Sequence, residues 1–395
     1  MNLDDSFTLY QFTRAFSGPI IFNVEDFDGK LPTSHANPYA WTKIASMIFL
    51  DWPIGTGFSY SKNANDYFTD DVNTTRSIHK FLKKWFLDHP SFLLNTFYIG
   101  GDSYGAKIAV LAAYEIVEAN RRGQLPLVNI KGYIVGNPAI ENSSTGSNVD
   151  SFTQVAHAYG LGVLSRELYL QVVRDCAGEN FKAPMNALCA KHLDAINGFI
   201  AEINIYSILD PLCDVVLPSL NENSMARSLK DNSAENLNSS SSDPDISCIT
   251  AELLINYWGN HHLVREALHV KEGTVGRFHR CKFEIANKFY TNNIPNVVPY
   301  HHSLMSRGYR TLVYSGDHDL KLPFLDTLAW IRSLNYTILE PWHSWKAGGQ
   351  VAGYATLFSN NLTFTTIKGG SHSAPGKMPM QCFVMFERWS SHQEL

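Results

Sequence analysis

The sequence lacks the features that mark several classes of protein. No apolar run approaches the roughly 18 residues that a membrane-spanning helix needs, and no cluster of lysine and arginine suggests a nucleic-acid surface. The net charge of the 395-residue chain is only −5. Hydrophobic residues make up 45% of the sequence, which excludes disorder of the whole chain. These properties predict a soluble globular protein of one large domain or two moderate ones, with no nucleic-acid or membrane partner.

The first residues lack the pattern of a secretory signal peptide. Acidic Asp4 and Asp5 stand where a signal peptide carries positive charge, and no continuous apolar stretch follows them. Yet the chain contains Asn-x-Ser/Thr acceptors for glycosylation at Asn73, Asn142, Asn238, Asn335 and Asn361. This density is typical of a protein that meets a glycosylating compartment, although such tripeptides also arise by chance. The residues alone leave the compartment open.

Cysteine and histidine lack the spacing of a metal site. The cysteines are too widely spaced for a zinc ribbon and can be disulfides or free thiols. The pairs His261-His262 and His301-His302 do not form H-E-x-x-H, because adjacent side chains point to different faces of an element. The segment GTGFS lacks the remaining residues of a nucleotide-binding loop. We therefore predict no metal and no cofactor.

The pattern along the chain changes twice. From about residue 38 to 142, strand-like runs (KIASMIFLDW, TFYIGG, IKGYIVGNP) alternate with helical patterns, which predicts βαβ units and a parallel sheet. From about 143 to 250 this alternation fails, and the polar stretch SAENLNSSSSDPDIS is loop-like. After residue 251 a helical pattern leads back to strand-like YRTLVYSGD and LTFTTIKGG. We interpret this as a sheet interrupted by an inserted cap.

The segment GGDSYG at residues 100–105 fits a nucleophile elbow. Its G-x-S-x-G pattern is the sharp strand-to-helix turn that lifts a serine above the edge of an α/β-hydrolase sheet. Strand-like NTFYIGG leads into it, and a helical pattern follows. The mostly apolar face of that helix consists of Ile108, Leu111, Ala112, Tyr114 and Ile116. The alternative is that Ser103 only caps an ordinary helix.

A serine nucleophile needs a base, and the base needs a group that orients it. In α/β hydrolases the order is serine, acid, histidine, each on a loop after a strand. The segment YSGDHDLKLP offers Asp317 and Asp319, and Asp319 fits the acid-loop pattern G-x-x-D-x-x-x-P. We therefore choose Asp319 as the orienting acid and expect Asp317 to cap the turn. His372, in the glycine-rich loop GGSHSAPG, is the predicted base.

Many ordered segments resemble one known family. They include NPYAWTK, FLDWPIGTGFSYS, YIGGDSYG, GYIVGNP, REALHVKEGTVGRFHRC, YHHSLMSRGYRTLVYSGDHDLKLPF, WIRSLNYTI, GQVAGY and TIKGGSHSAP, from about Phe16 to the C-terminus. These resemble the serine carboxypeptidases, and within them the plant serine carboxypeptidase-like proteins, several of which transfer acyl groups from glucose esters. The resemblance implies an α/β-hydrolase fold, with a mostly parallel sheet over residues 1–144 and 251–395 and an inserted helical lid over residues 145–250.

The resemblance also implies roles for the site residues. Ser103 is the expected nucleophile, His372 the base, Asp319 its orienting acid, and the amide of Tyr104 a donor in the oxyanion hole. The resemblance places the protein in the secretory pathway, in the vacuole or outside the cell.

The resemblance fails before the SGP segment. The family normally has there a signal peptide, further strands and a GGPGC motif whose glycine amide supplies half of the oxyanion hole. Because residues 1–14 resemble none of this, we expect a chain truncated at its N-terminus, with N-terminal strands missing. Losing one oxyanion donor elsewhere costs on the order of 3 kcal/mol of transition-state stabilisation. A catalytically impaired relative is therefore one alternative function.

The same resemblance pairs the cysteines. It implies lid disulfides that join Cys176 to Cys189 and Cys213 to Cys248, and it leaves Cys281 without a partner. Such bonds stabilise a lid by about 3 kcal/mol each, but only in an oxidising compartment.

Two aspartates are relevant to the prediction of the substrate. Carboxypeptidases of the family bind the terminal carboxylate of a peptide through two acids that share a proton, and the matching positions are Asp51 and Asp102. The alternative for Asp51 is a turn residue before Pro53. Aspartate at 102, where glutamate is usual, resembles the acyltransferase branch. We therefore predict a small-molecule acyl ester as substrate, with peptide cleavage as the alternative, and no particular oligomeric state.

Overall fold

An eight-stranded sheet organises the protein. The computed structural model describes residues 6–11 (backbone only), 18–23, 31–140, 148–212, 254–278 and 285–395. In chain order the strands are β1 (Ser6–Gln11), β2 (Ile20–Phe22), β3 (Ser34–Ala36), β4 (Ser46–Phe49), β5 (Thr69–Asp70), β6 (Thr96–Asp102), β7 (Ile130–Gly136), β8 (Tyr290–Thr291), β9 (Arg310–Gly316), β10 (Ile338–Ala347), β11 (Gln350–Phe358) and β12 (Leu362–Ile367).

The large sheet is mostly parallel, as predicted. Its order is β10-β11-β12-β9-β7-β6-β1-β4. The six strands from β12 to β4 run parallel to one another, whereas β11 pairs antiparallel with both β12 and the edge strand β10. Residues 1–14 resemble none of the family's N-terminal strands, but β1 (Ser6–Gln11) pairs with both β4 and β6. The N-terminal segment therefore fills a place in the sheet.

Some helices pack on the two faces of the sheet, and others form a separate group with a core of their own. They are α1 (Asp71–Asp88), α2 (Tyr104–Arg121), α3 (Phe152–Gly160), α4 (Arg166–Asp175), α5 (Ala187–Ile200), α6 (His262–Ala267), α7 (Val298–Met305), α8 (Phe324–Ser333), α9 (Ala374–Lys377) and α10 (Pro379–Ser390). Residues 254–260 are also helical, and shorter 3-10 or π turns cover Trp41–Lys43, Ala64–Tyr67, Pro90–Phe92 and Ile285–Phe289. Within the described ranges, no helix is long and apolar enough to cross a membrane.

Both faces of the central strands are buried. Along β6, Phe97 and Ile99 pack into the cluster under α1, α2, α7 and α8, whereas Tyr98 packs into the cluster under α10. This alternation follows from the two-residue period of a strand. Because neither face meets water, such strands read as continuous apolar runs, which is why the sequence pattern finds them.

Helices α3, α4 and α5 pack on one another in the region predicted as a lid. Their shared core includes Val155, Val172 and Leu193, and Leu320 after β9 joins it. A disulfide joins Cys176 to Cys189. The proposed lid limits at residues 145 and 250, like Cys213, Cys248 and Cys281, lie outside the described residues and remain predictions. Cys382 is a buried free thiol.

Three of the glycosylation acceptors can be located. Asn73, Asn335 and Asn361 are all exposed. The amides of Asn73 and Asn361 already donate, to Asp70 Oδ2 (2.8 Å) and to the Gly308 carbonyl (3.1 Å). Asn142 and Asn238 lie outside the described residues, and glycosylation at all five positions stays a prediction.

Candidate active site

The loops that carry the predicted site residues meet at one edge of the sheet. The amide of Ser103, after β6, donates to Gly136 of β7 (3.0 Å), and the amide of Asn137, after β7, donates to Tyr314 of β9 (2.8 Å). The amide of Asp317, after β9, donates to Ile367 of β12 (3.2 Å). Loops at the carboxyl ends of parallel strands are the usual place for a site in an open α/β sheet.

Ser103 is the single residue between strand β6 and helix α2. Strand β6 ends at Asp102 and α2 begins at Tyr104, so Ser103 makes the whole turn with φ 56° and ψ −126°. This left-handed backbone is strained for a residue other than glycine. A Cβ at Gly101 would lie 2.3 Å from the carbonyl oxygen of Gly105, which explains the glycine there. Among the described residues, the Ser103 side chain makes no capping hydrogen bond to α2.

Asp319 and His372 are in direct contact. Oδ2 of Asp319 accepts from Nδ1 of His372 (2.7 Å) and from the side-chain amide of Asn137 (2.7 Å). Its Oδ1 accepts from the backbone amides of Lys321 (2.8 Å) and Leu322 (3.1 Å), and the carboxylate is fully buried. Both oxygens of the buried carboxylate therefore accept hydrogen bonds. With Nδ1 engaged, Nε2 of the imidazole is the nitrogen left to exchange a proton.

The environment of His372 raises its pKa. Burial by itself lowers the pKa of the imidazole, but the negative charge and hydrogen bond of Asp319 and the charge of Asp102 outweigh that effect. The imidazole therefore has more affinity for a proton than an ordinary histidine.

Asp317 serves a different contact. Its Oδ1 accepts from the amide of Gly369 (2.7 Å) and lies 2.7 Å from Nδ1 of His318. The carboxylate therefore ties the loop after β9 to the loop after β12, whereas Nδ1 of His372 lies on Asp319.

The segment after α5 makes main-chain hydrogen bonds to the loop after β9, which carries Asp319, and to the loop after β12, which carries His372. The carbonyl of Ile205 accepts from the amides of Leu320 (2.9 Å) and Lys321 (3.0 Å), and the carbonyl of Tyr206 accepts from the amide of His372 (2.7 Å). The Tyr206 ring also meets the His372 imidazole edge to face, with centroids 5.2 Å apart. The loops of Asp319 and His372 are thus held in part by main-chain groups from outside the sheet.

Comparison with known proteins decides the family. The profile of the serine carboxypeptidase family matches residues 17–392. The chain belongs to this family. Serine carboxypeptidase-like 19 of Arabidopsis thaliana is 40% identical over 387 residues, which cover 96% of this chain and 80% of that protein. Serine carboxypeptidase-like 12 of the same plant is 37% identical over 381 residues, with the same coverage.

A solved structure confirms the fold. The crystal structure of Kex1(Δ)p, a prohormone-processing carboxypeptidase from Saccharomyces cerevisiae, matches 99% of this chain and 84% of its own with a TM-score of 0.72 at 17% identity. The predicted α/β-hydrolase fold is therefore confirmed. Family membership makes this serine carboxypeptidase-like protein an enzyme of the hydrolase class.

The two carboxylates predicted to bind substrate occupy different settings. Asp102, beside Ser103, is only 3% exposed, and its Oδ1 accepts from the Tyr314 hydroxyl (2.5 Å). Oδ2 of Asp51 accepts from the amide of Phe58 (2.9 Å) and so holds its own loop together. Their joint action on a substrate carboxylate remains a prediction.

Sequence reasoning missed several residues around the site of this family member. Asn137 contacts Asp319 and Tyr206 contacts His372. Asp71 accepts from the hydroxyl of Tyr104, which follows Ser103, and Lys107 pairs with Asp71. A signal existed for Lys107, because it is the one charged residue in the apolar run GAKIAVLAA and a buried charge needs a partner. Asp71 gave none, since acidic residues are common in the first turn of any helix.

The side chains of His301 and His302 contact tyrosine hydroxyls. Nδ1 of His301 lies 2.7 Å from the Tyr133 hydroxyl, and Nδ1 of His302 lies 3.0 Å from the Tyr336 hydroxyl. In the part of the chain that the structure describes, no three His, Cys, Asp or Glu side chains form a group able to hold a metal ion.

Proposed function

We propose that the protein forms an acyl-enzyme at Ser103, with His372 as base and Asp319 as the acid that orients it. The serine oxygen attacks the carbonyl carbon of the substrate, and its proton passes to Nε2 of His372. When the tetrahedral intermediate collapses, that proton passes to the departing oxygen or nitrogen. A second nucleophile then attacks the acyl-enzyme, gives its proton to His372 and releases the acyl group, after which Ser103 regains its proton.

The observation that carries this proposal is the contact between buried Asp319 and His372. A hydrogen bond of 2.7 Å to a fully buried carboxylate fixes the imidazole ring and favours the imidazolium that forms during attack. The strained turn at Ser103 lies at the same edge of the sheet. The Tyr104 amide, at the positive end of the α2 dipole, is suited to bind the developing oxyanion.

For the acyl group, we propose transfer from a glucose ester to an alcohol. The setting of Asp102 supports this choice, because a buried carboxylate with one oxygen bound to Tyr314 is poorly placed to receive the charged end of a peptide. Peptide cleavage is the second candidate, and the family description, together with the carboxypeptidase activity named for the yeast structure, favours it.

Competition between substrates tests the proposal. The protein is incubated with a 1-O-acylglucose, with and without an acceptor alcohol, and separately with an N-blocked dipeptide. We expect the acyl ester of the acceptor to form, and little release of the C-terminal amino acid. Rapid release from the dipeptide without transfer would support the carboxypeptidase alternative. No turnover of either substrate by folded protein would support the catalytically impaired alternative.

We also propose a compartment. The Cys176–Cys189 disulfide is stable only where thiols oxidise, which supports the secretory pathway, the vacuole or the cell exterior.

The raised pKa of His372 predicts the pH dependence of the acylation step. Because the base must be neutral to accept the Ser103 proton, the rate should rise with pH and reach half its maximum above about 6.5, the ordinary pKa of histidine. The effect on stability has the opposite sign: protonated His372 beside Asp319 stabilises the fold below about pH 6.5, and this is lost as pH rises through the raised pKa. The measurement is the labelling rate with a fluorophosphonate from pH 4 to 9.

The control for this profile is Asp319→Asn. It removes the main charge that raises the pKa of His372, so the midpoint should move to lower pH. A wild-type midpoint at or below about 6.5 would contradict the prediction.

A further inference from the structure

A fully buried ion pair lies directly behind the turn at Ser103. Nζ of Lys107, near the start of α2, lies 3.2 Å from Oδ2 of Asp71, the first residue of α1, and neither side chain is exposed. Lys107 also donates to the side-chain oxygen of Asn292. Moving two charges out of water costs solvation energy, which is recovered only with good geometry and additional hydrogen bonds. The arrangement therefore depends on the groups around it.

Asp71 is the centre of this arrangement. Its Oδ1 accepts from the hydroxyls of Tyr104 and Tyr290, the latter at 2.9 Å, and its Oδ2 accepts from the amide of Ile294 (2.9 Å). Burial raises the pKa of Tyr104 and the hydrogen bond to Asp71 raises it further, so the phenol remains a neutral donor. One carboxylate thus connects α1, α2 and residues 290–294.

Two of these partners belong to the turn that carries the nucleophile. Tyr104 directly follows Ser103, and Lys107 lies one helical turn later. The backbone of Ser103 has φ 56°, and a strained conformation of this kind persists only where the surrounding structure determines it fully. Asp71 holds the first turn of α2 at two points, one on each side of Gly105.

We propose that Asp71 is a positioning residue, which aims the Ser103 hydroxyl and the Tyr104 amide at the substrate carbonyl by holding Tyr104 and Lys107. This inference rests on the proposed acyl-enzyme function. A misplacement of about 1 Å in a catalytic group can cost on the order of a hundredfold in rate. Loss of one anchor of the turn should therefore slow acylation in protein that is still folded.

The alternative is that the cluster only stabilises the fold, and Tyr104→Phe separates the two roles. The substitution removes one hydroxyl, keeps the ion pair and leaves Tyr290 on Asp71. The matched control is Tyr133→Phe, which removes a buried tyrosine hydroxyl from its contact with His301 (2.7 Å) on β7. If the role is only structural, both variants react like the wild type once folded.

The experiment measures the rate constant for fluorophosphonate labelling of Ser103, kcat and KM for a p-nitrophenyl ester, and the thermal unfolding midpoint. Rates are taken well below the lowest midpoint. We expect Tyr104→Phe to label about tenfold more slowly, through kcat and not KM, while Tyr133→Phe stays within about twofold of the wild type. A second variant, Asp71→Asn with Lys107→Met, removes both charges of the buried pair and leaves neither partner charged and unpaired. It should therefore fold and yet label slowly.

The outcomes are distinct. Folded Tyr104→Phe that labels within about twofold of the wild type would overturn the positioning role, even if the double variant fails to fold. Equal slowing in Tyr133→Phe would overturn it as well, since any loss of a buried hydroxyl would then suffice. Wild-type protein that takes no label would overturn the proposed function itself, and with it the need to position a nucleophile.

Discussion

Replacing Ser103 with alanine should abolish covalent labelling by a fluorophosphonate and reduce ester turnover by roughly a millionfold, to background. The hydroxyl is the only atom group lost, and it is the group proposed to attack the substrate. The side chain makes no capping hydrogen bond to α2 in the described structure, so its removal should leave the fold intact. Peptide mapping of the labelled wild type by mass spectrometry should place the adduct on Ser103.

The control for this substitution is His372→Ala. It keeps the serine but removes the base, so labelling should become very slow while remaining possible at the same residue. An adduct on another residue of the wild type, or equal labelling of Ser103→Ala, would refute the assignment of the nucleophile.

The two acids after β9 should differ strongly in effect. Asp319→Asn should reduce turnover by about 10⁴-fold, because an amide at this position can donate to Nδ1 of His372 and so stabilise the wrong tautomer. Asp317→Asn should cost no more than about fivefold, since its carboxylate is partly exposed and contacts Gly369 and His318. The measurement is kcat/KM for the best ester substrate in each variant.

The two substitutions are nearly identical in chemistry and only two residues apart, so each controls for the other. Unfolding midpoints identify any loss that comes from the fold alone. A larger loss in Asp317→Asn than in Asp319→Asn would reverse our choice of acid.

The core of the fold was predictable because its strands are buried on both faces. The predicted runs IKGYIVGNP, YRTLVYSGD and LTFTTIKGG contain β7, β9 and β12, TFYIGG covers all of β6 but its last residue, and a helix follows β6 as expected. That the loops of Ser103, Asp319 and His372 lie at one edge of the sheet was predictable, because loops after parallel strands meet there. The catalytic roles of the three residues stay predictions.

Other parts gave no usable pattern. The hairpin of β10 and β11 lies at the sheet edge, and much of β10 is exposed, so it lacks the apolar run of a central strand. The contact of Tyr206 with His372 joins positions that are 166 residues apart, and no local pattern reports such a pair. Asp71 was missed because its partners come from α2 and residues 290–294, which only the folded chain brings together.

Residues 205–208 make main-chain hydrogen bonds to the loops that carry Asp319 and His372. These bonds determine which parts of the chain can be exchanged between relatives without loss of that contact. An exchange of α3 to α5 between relatives changes the helices that pack on Leu320, and the recombination point must lie before Asn204 if residues 205–208 are to be kept. Every chimaera built that way retains the four bonds on which Leu320, Lys321, His318 and His372 rest. A crossover placed after Asp210 replaces the segment that makes main-chain bonds to the loops of Asp319 and His372. The four main-chain bonds are therefore independent of the side chains of α3 to α5, whereas the contacts of Gln154 to the carbonyls of Leu320 and Lys321 change with that helix group.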